Sequence, residues 1–226
     1  MVQTPIDTDI LYPDSDGKPI ADNTIQYRWI VRLVINLKRL LKDQVAFVAG
    51  DLLWYPVKVE VPPAPAQAPD VMVVLGRPEG DSPKATFHER GSYKQWEEEN
   101  IAPQVVFEIL SPSNSAREML AKQSFYKEHG VLEMFFYDPD SHGFWGLVRS
   151  RANLDFSPIT AINFPWSSPI LGIRFEQFED GLIVFYPDGE PFKDPDEFIE
   201  ERDRVKEERD RAFAKLRELG IDPEQL

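Results

Sequence analysis

The 226-residue chain contains no cysteine, which excludes a disulfide framework and any thiolate metal site. Histidine is scarce, and His88, His129 and His142 are spaced unlike the ligands of a histidine metal site. No apolar run is long enough to cross a membrane, and the start lacks the basic and apolar regions of a signal peptide. We therefore expect a soluble cytoplasmic protein whose metal sites, if any, consist of oxygen ligands.

Basic residues are also in short supply, with 25 Lys and Arg against 39 Asp and Glu and a net charge of -14. Proteins that adhere to nucleic acids usually hold the phosphates with lysine and arginine. The charged tail does not explain the excess, because its acidic residues only modestly outnumber its basic ones. A nucleic-acid site in this chain must therefore be locally basic or rely on a divalent cation.

The chain does have enough apolar and aromatic residues for the core of one medium-sized domain. Helical spacing of apolar residues predicts a helix over 25–41, and a second helix is predicted from Ser115 to about His129, stopped by Gly130. Apolar runs predict strands, which we place at residues 45–49, 52–59, 70–75, 105–110, 134–137, 144–148, 172–175 and 182–186. This alternation of helices and strands predicts an α/β fold.

Composition divides the chain into three regions: an N-terminal extension (1–21), a globular domain (22–193) and a charged C-terminal helix (194–226). Asp194 and Pro195 suit the start of that helix. Apolar residues recur there every seven positions, at Phe198, Val205, Ala212 and Leu219, which indicates a weak coiled coil and a possible homodimer. The alternative is a solvated helix stabilised by pairs such as Glu200 with Arg204.

Residues 76–100 are polar and predict a long surface loop, with a short helix around 93–99. Arg90, Tyr93, Lys94 and Trp96 suggest an aromatic and basic patch for nucleic acid. The neighbouring run of three glutamates favours an ordinary exposed loop instead.

Glu108 interrupts the apolar strand 105–110 and shares one face of it with Val106 and Leu110. A carboxylate in such a position is rarely buried unless it is paired or bound to a metal. Two interpretations are open: an edge strand that leaves Glu108 in solvent, or a buried functional carboxylate.

Asp70 and Lys122 are the other candidate site residues. Asp70 begins an apolar strand after Pro69, where it serves either as a turn residue or as a partner of Glu108. Two carboxylates on adjacent strands, with the Ile109 carbonyl, can hold Mg²⁺ or Mn²⁺. Lys122 lies among apolar residues of the predicted helix, as a snorkelling lysine or as a cation near a scissile phosphate. Together the residues predict metal-dependent phosphodiester hydrolysis.

Several segments resemble the Uma family of restriction-endonuclease-like proteins, a domain family of unknown function. They are Pro69-Asp70, residues 106–113, Lys122-x-x-x-Tyr126, and Gly130-Val131-x-Glu133 with the strand that ends at Asp138. The resemblance extends from Asp22 to Tyr186. It implies a PD-(D/E)xK nuclease fold, with a mixed central sheet flanked by helices, and an endonuclease that acts on DNA. It also implies metal ligation by Asp70 and Glu108.

The chain departs from the superfamily pattern at one position. The superfamily usually places its lysine two residues after the glutamate, where this chain has Leu110, so that Lys122 takes the role from the next helix. Some members use an acid of the first helix, but the nearest polar residue here, Gln26, is not an acid. The alternative hypothesis is a catalytically inactive binding or scaffold protein that self-associates. RNA or a branched nucleic acid also remains open as the substrate.

Overall fold

A computed structural model describes residues 11–17, 19–79, 90–219 and 222–223. His88 and part of the predicted loop lie outside these residues. The chain divides into two compact units, Met1–Phe192 and Lys193–Leu226. Within the described ranges, no helix has the length and apolar character needed to span a membrane.

Among the residues that the structure describes, the first unit contains two α-helices and eleven strands. Its helices are α1 (Thr24–Leu40) and α2 (Ala116–Glu128), with 3₁₀ turns at Gln95–Glu97 and Ala161–Asn163. Its strands are β1 (Ala46–Gly50), β2 (Trp54–Tyr55), β3 (Val71–Leu75), β4 (Tyr93–Lys94), β5 (Val105–Ile109), β6 (Glu133–Asp138), β7 (Gly143–Val148), β8 (Ser157–Thr160), β9 (Trp166–Ser167), β10 (Arg174–Phe178) and β11 (Gly181–Phe185).

A six-stranded sheet with the order β1-β3-β5-β6-β7-β8 forms the centre of this unit. Strands β5 and β6 are parallel and are connected through α2, whereas the other neighbours are antiparallel. The predicted α/β fold with a mixed central sheet is therefore confirmed. Because β3 and β5 are interior strands, both of their faces are covered and almost every residue in them is buried.

The two faces of the sheet carry different helices. Leu33 and Leu37 of α1 belong to one apolar cluster with Val71 and Val73. Met119 and Tyr126 of α2 belong to the other, on the opposite face, with Met72. A second sheet, β11-β10-β9, contributes Phe175 and Val184 to the α1 cluster. The site described below lies where the first turn of α1 and the middle of α2 meet β3 and β5.

Some details differ from the prediction. The strand expected at 52–59 is limited to β2, which pairs in parallel with β4. Strands β8 and β9 were not predicted, because they are short and a proline interrupts the usual strand pattern: β8 contains Pro158, and β9 follows Pro165.

The second unit contains α3 (Pro195–Glu218), which begins after Asp194 as predicted. Asp194 and Glu197 form a capping box at its start. No residue of this helix is buried, and Ile199, Val205 and Leu219 are exposed. These observations fit both a solvated helix and a self-associating one, so the homodimer remains a prediction.

Candidate active site

Glu108 is the fourth of the five residues of β5, an interior strand, and only 2% of its surface is exposed. The edge-strand interpretation is therefore wrong, because it required the Glu108 carboxylate to be exposed to water. Strand alternation directs Glu108 to the face covered by α2, together with Val106. A carboxylate buried to this degree needs partners, because removing an ionised group from water without compensation is costly.

Two side chains of α2, one turn apart, provide those partners. Lys122 Nζ lies 2.6 Å from Glu108 Oε2, and the Tyr126 hydroxyl donates to Glu108 Oε1. The spacing of four residues places both side chains on the same helix face. The Lys122 side chain is 14% exposed, so its ammonium is directed inward to the carboxylate and not outward as in the snorkelling interpretation.

Asp70 directly precedes β3 and is held against β5. Its Oδ2 accepts a hydrogen bond of 2.6 Å from the Ile109 backbone N–H. The antiparallel register that opposes Val71 to Phe107 brings the start of β3 to the end of β5. Asp70 and Glu108 therefore approach the same end of the central strands, although 37 residues of chain separate them in sequence.

Gln26 is a member of the site that sequence reasoning missed. Asn23 caps α1 by accepting from the backbone N–H groups of Ile25 and Gln26, which fixes the first turn of the helix. The buried Gln26 amide donates a 2.8 Å bond to the Ile109 carbonyl and lies 3.5 Å from Asp70 Oδ2. The available signal was a polar residue at a core position of the helical pattern.

The site opens into a cavity of about 510 Å³. Asp70, Gln26 and Lys122 line it, and four further acidic side chains, Asp16, Asp22, Asp51 and Glu118, line its walls. Asp51 follows β1 in the left-handed region at φ 48°, and its N–H donates to the Asp70 carbonyl. Lys122 is the only basic residue among the described residues that line the cavity.

Burial and mutual repulsion shift the acid–base properties of these groups. Burial, and then the nearby charge of Glu108, raises the pKa of Asp70 to about 8. Burial also raises the pKa of Glu108. Burial lowers the pKa of Lys122, but the carboxylates of Glu108 and Asp70 outweigh that effect and the net pKa is raised. At the cavity wall, burial and the charge of Asp16 raise the pKa of Asp51 to about 6.

These shifts describe a site that is short of positive charge, since one ammonium faces two buried carboxylates. Carboxylates and a carbonyl are the oxygen ligands that Mg²⁺ and Mn²⁺ prefer, so the donor set of Asp70, Glu108 and Ile109 fits such an ion. Within the parts of the chain that the structure describes, no group of three or more His, Asp or Glu is placed to hold a metal. An ion at this site would therefore depend on two carboxylates and the backbone.

The suggested patch for nucleic acid in the loop is not available as a surface. Tyr93 is fully buried, and the Arg90 guanidinium pairs with Glu98 and lies 4.2 Å from the centre of the Phe47 ring. Of the three glutamates that favoured an exposed loop, Glu97 and Glu99 are exposed as expected, whereas Glu98 is buried. The prediction for this loop was wrong because a sequence does not distinguish charged residues that pair inside a fold from charged residues on its surface.

Comparison with known proteins supports a family assignment. A crystal structure of a "putative nuclease belonging to DUF820" from Anabaena variabilis is similar to this chain over 70% of its length and 81% of the other chain, at 17% identity and a TM-score of 0.46. That score is too low to bear on the site. No curated protein matches the chain. A family model described as "Putative restriction endonuclease" matches residues 10–161, which include every residue of the candidate site. The chain therefore belongs to the Uma2 family.

Proposed function

We propose that the protein is a metal-dependent endonuclease that hydrolyses phosphodiester bonds in DNA. Asp70, Glu108 and the Ile109 carbonyl bind Mg²⁺ or Mn²⁺, and Lys122 assists the reaction. The observation that carries the proposal is a pair of buried carboxylates beside the cavity, of which Glu108 is bonded to Lys122 and Asp70 to the Ile109 N–H. Membership of a family described as restriction endonucleases supports the same reaction class.

The bound cation would polarise the phosphoryl group and lower the pKa of an attacking water. Tyr126 holds one oxygen of Glu108, so the carboxylate keeps one orientation while its other oxygen remains at the Lys122 side. Gln26 and Asp70 hold the two backbone groups of Ile109, which fixes the carbonyl that completes the ligand set. These bonds position the ligands before any ion or substrate arrives.

We expect the Lys122 ammonium to occupy two positions, one without substrate and one during the reaction. Without substrate its ammonium neutralises Glu108, and in the reaction it turns towards the cavity and donates to a non-bridging phosphate oxygen. There it offsets the negative charge that develops on the phosphoryl oxygens in the transition state. Its raised pKa keeps it protonated at neutral pH, which suits an electrostatic role and not that of a general base.

The test is cleavage of supercoiled plasmid with Mg²⁺ or Mn²⁺ by the wild type and by Asp70→Ala, Glu108→Ala and Lys122→Ala. We expect metal-dependent nicking by the wild type and its loss in all three variants. A separate titration of Mn²⁺ binding should show weaker binding in the two carboxylate variants. A wild type that neither binds Mn²⁺ nor cleaves DNA would support the inactive scaffold instead.

Glu133 provides a matched control because it is another buried glutamate of the same sheet, in β6. Its oxygens accept from the Ser168 hydroxyl and from the Ile170 N–H at 3.1 Å, and it does not line the cavity. Glu133→Gln should keep Mn²⁺ binding and cleavage. Loss of cleavage in that variant while it remains folded would mean that any buried glutamate matters equally, against the proposal.

For the tail we propose self-association through α3. Deleting the chain from Asp194 onward should convert a dimer to a monomer in a measurement of solution mass. An unchanged mass would remove the dimer from the proposal and leave the nuclease site unaffected.

A further inference from the structure

Helix α1 differs in charge from the other α-helices. It carries Arg28, Arg32, Lys38 and Arg39 and has no acidic residue, within a chain of net charge -14. Helices α2 and α3 both contain acidic and basic residues. Of the α-helices in the described residues, α1 alone is purely basic, and Lys42 adds a further positive charge just after its end.

The arginines of α1 occupy one outward face. Gln26, Ile30, Leu33 and Leu37 face the core and are buried. Successive residues of a helix turn by about 100°, which puts Arg28, Arg32 and Arg39 on the opposite side. Arg28 and Arg39 are exposed, and the Arg32 guanidinium lies 4.6 Å from the centre of the Trp29 ring.

The charges near this face differ in their local pairing. Lys38 forms an ion pair with Glu79 and is about half exposed. Lys42 is 70% exposed and lies 4.0 Å from Asp43, at the limit of an ion pair between two solvated groups. Exposed ion pairs contribute little to the free energy in water, so both lysines remain able to exchange partners. Tyr27, which is 54% exposed, adds a hydroxyl beside Arg28.

The helix that carries the basic face also reaches the candidate active site, by the side opposite to the arginines. The first turn of α1 contributes Gln26 to that site, and the preceding residues Ala21 and Asp22 line the cavity. Arg28 lies half a turn further round the helix. The 17 residues of α1 extend about 25 Å, which is comparable with the roughly 34 Å of one turn of duplex DNA. The cavity walls carry four acids, so the phosphates on either side of a bound one must be held elsewhere.

We propose that a basic surface next to the cavity binds the sugar–phosphate backbone of duplex DNA. This surface consists of the outward face of α1, with Arg28, Arg32 and Arg39, and of Lys42 just beyond the end of the helix. This inference takes its substrate class from the proposed function. It explains how an acidic protein holds a polyanion, because phosphates need only a local basic surface. The contacts select no base sequence, since phosphate contacts position a protein without reading bases.

The experiment measures binding of a short fluorescein-labelled DNA duplex by anisotropy, in EDTA, over a series of KCl concentrations. The test protein carries Arg28→Gln and Lys42→Gln together. The matched control carries Lys58→Gln and Arg151→Gln, which remove the same two charges from exposed positions outside α1 and α3. We expect the α1 variant to bind about tenfold more weakly, with a salt-dependence slope smaller by about 2, and the control to bind like the wild type.

A charge-keeping variant, Arg28→Lys with Lys42→Arg, should restore both the affinity and the slope. All four positions are exposed, so circular dichroism and melting temperature should not change. Equal weakening in the α1 variant and in the control would overturn the inference, because it would reflect net charge alone. An unchanged salt slope in the α1 variant would overturn it as well.

Plasmid cleavage by the wild type with Mn²⁺ separates this inference from the proposed function. Cleavage together with binding that does not depend on α1 would overturn the inference and leave the nuclease proposal intact. DNA binding that depends on α1, without cleavage under any metal, would support the inference about the basic face and contradict the nuclease proposal.

Discussion

Two buried ionic clusters in this protein use carboxylates in opposite ways. The site cluster, Asp70, Glu108 and Lys122, has two carboxylates and one ammonium. The loop cluster has two buried guanidinium groups, of Arg77 and Arg90, and two carboxylates, of which Glu98 is buried and Glu99 is exposed. Arg77 Nε and Arg90 Nε lie 2.7 Å and 2.8 Å from the two oxygens of Glu98, and Arg77 Nη1 lies 2.7 Å from Glu99 Oε1.

The difference in charge balance separates a structural cluster from a functional one. In the loop cluster every charge is matched within the fold, and the bonds join residues 77–78 to residues 90–99. In the site cluster the second carboxyl group has no ammonium of its own, and burial together with the charge of Glu108 raises the pKa of Asp70 to about 8. A matched cluster stabilises the native state, whereas an unmatched one next to a cavity attracts a cation.

Glu108→Gln should give the largest effect on activity. It removes one of the two ligand charges while keeping the shape of the side chain, so we expect cleavage to fall at least about a hundredfold. Plasmid nicking at saturating Mn²⁺ measures it, with Glu133→Gln as the control. A variant that keeps its activity would mean that the two clusters do not differ in function.

Glu98→Gln should give the largest effect on stability. It leaves two buried guanidinium groups without their shared carboxylate, so the free energy of unfolding should fall by about 3 kcal/mol. Urea denaturation measures this change. The cleavage rate per folded molecule should stay at the wild-type value, and a specific loss of activity would contradict the structural role of the loop cluster.

The site cluster should also make stability depend on pH. Because the folded-state pKa of Asp70 is about 8 and its ordinary value is 3.8, the folded protein binds more protons than the unfolded chain between these values. Stability in EDTA should therefore decrease as the pH rises from about 4 to about 8, and melting temperatures measured across that range should follow the decrease. Asp70→Asn should flatten the decrease. An equally steep decrease in that variant would locate the titration elsewhere.

Tyr126→Phe should give the smallest change. It removes one hydrogen bond to Glu108 without changing any charge, so we expect a loss of about 1.5 kcal/mol in the free energy of unfolding. Cleavage should fall less than in Glu108→Gln, because Lys122 still holds the carboxylate. A loss of activity as large as that of Glu108→Gln would give Tyr126 a direct part in the reaction.

The sequence predicts the interior strands and both helices of the first unit well, because their apolar periodicities are long and uninterrupted. It also predicts that Asp70, Glu108 and Lys122 lie together, and the structure brings their side chains to one site. It does not predict Gln26, since an amide at a core position looks like a packing exception. The sequence also does not predict that the Tyr126 hydroxyl bonds to Glu108, because a tyrosine among apolar residues usually only fills a core. The burial of Arg90 depends on Glu98, and such pairing has no periodic signature.

The hydrogen bonds of the site differ greatly in how far they reach along the chain. Glu108 meets Lys122 and Tyr126 across 14 and 18 residues, whereas Ile109 meets Asp70 and Gln26 across 39 and 83 residues. Short-range contacts close at small entropic cost, and long-range ones require the whole sheet to be assembled. While the protein folds, Glu108 therefore has local partners before it has Asp70 as a neighbour. The pair of carboxylates is complete only when β3 has joined β5, so a chain with an unfinished sheet holds its glutamate neutralised and lacks the pair that would capture a metal ion.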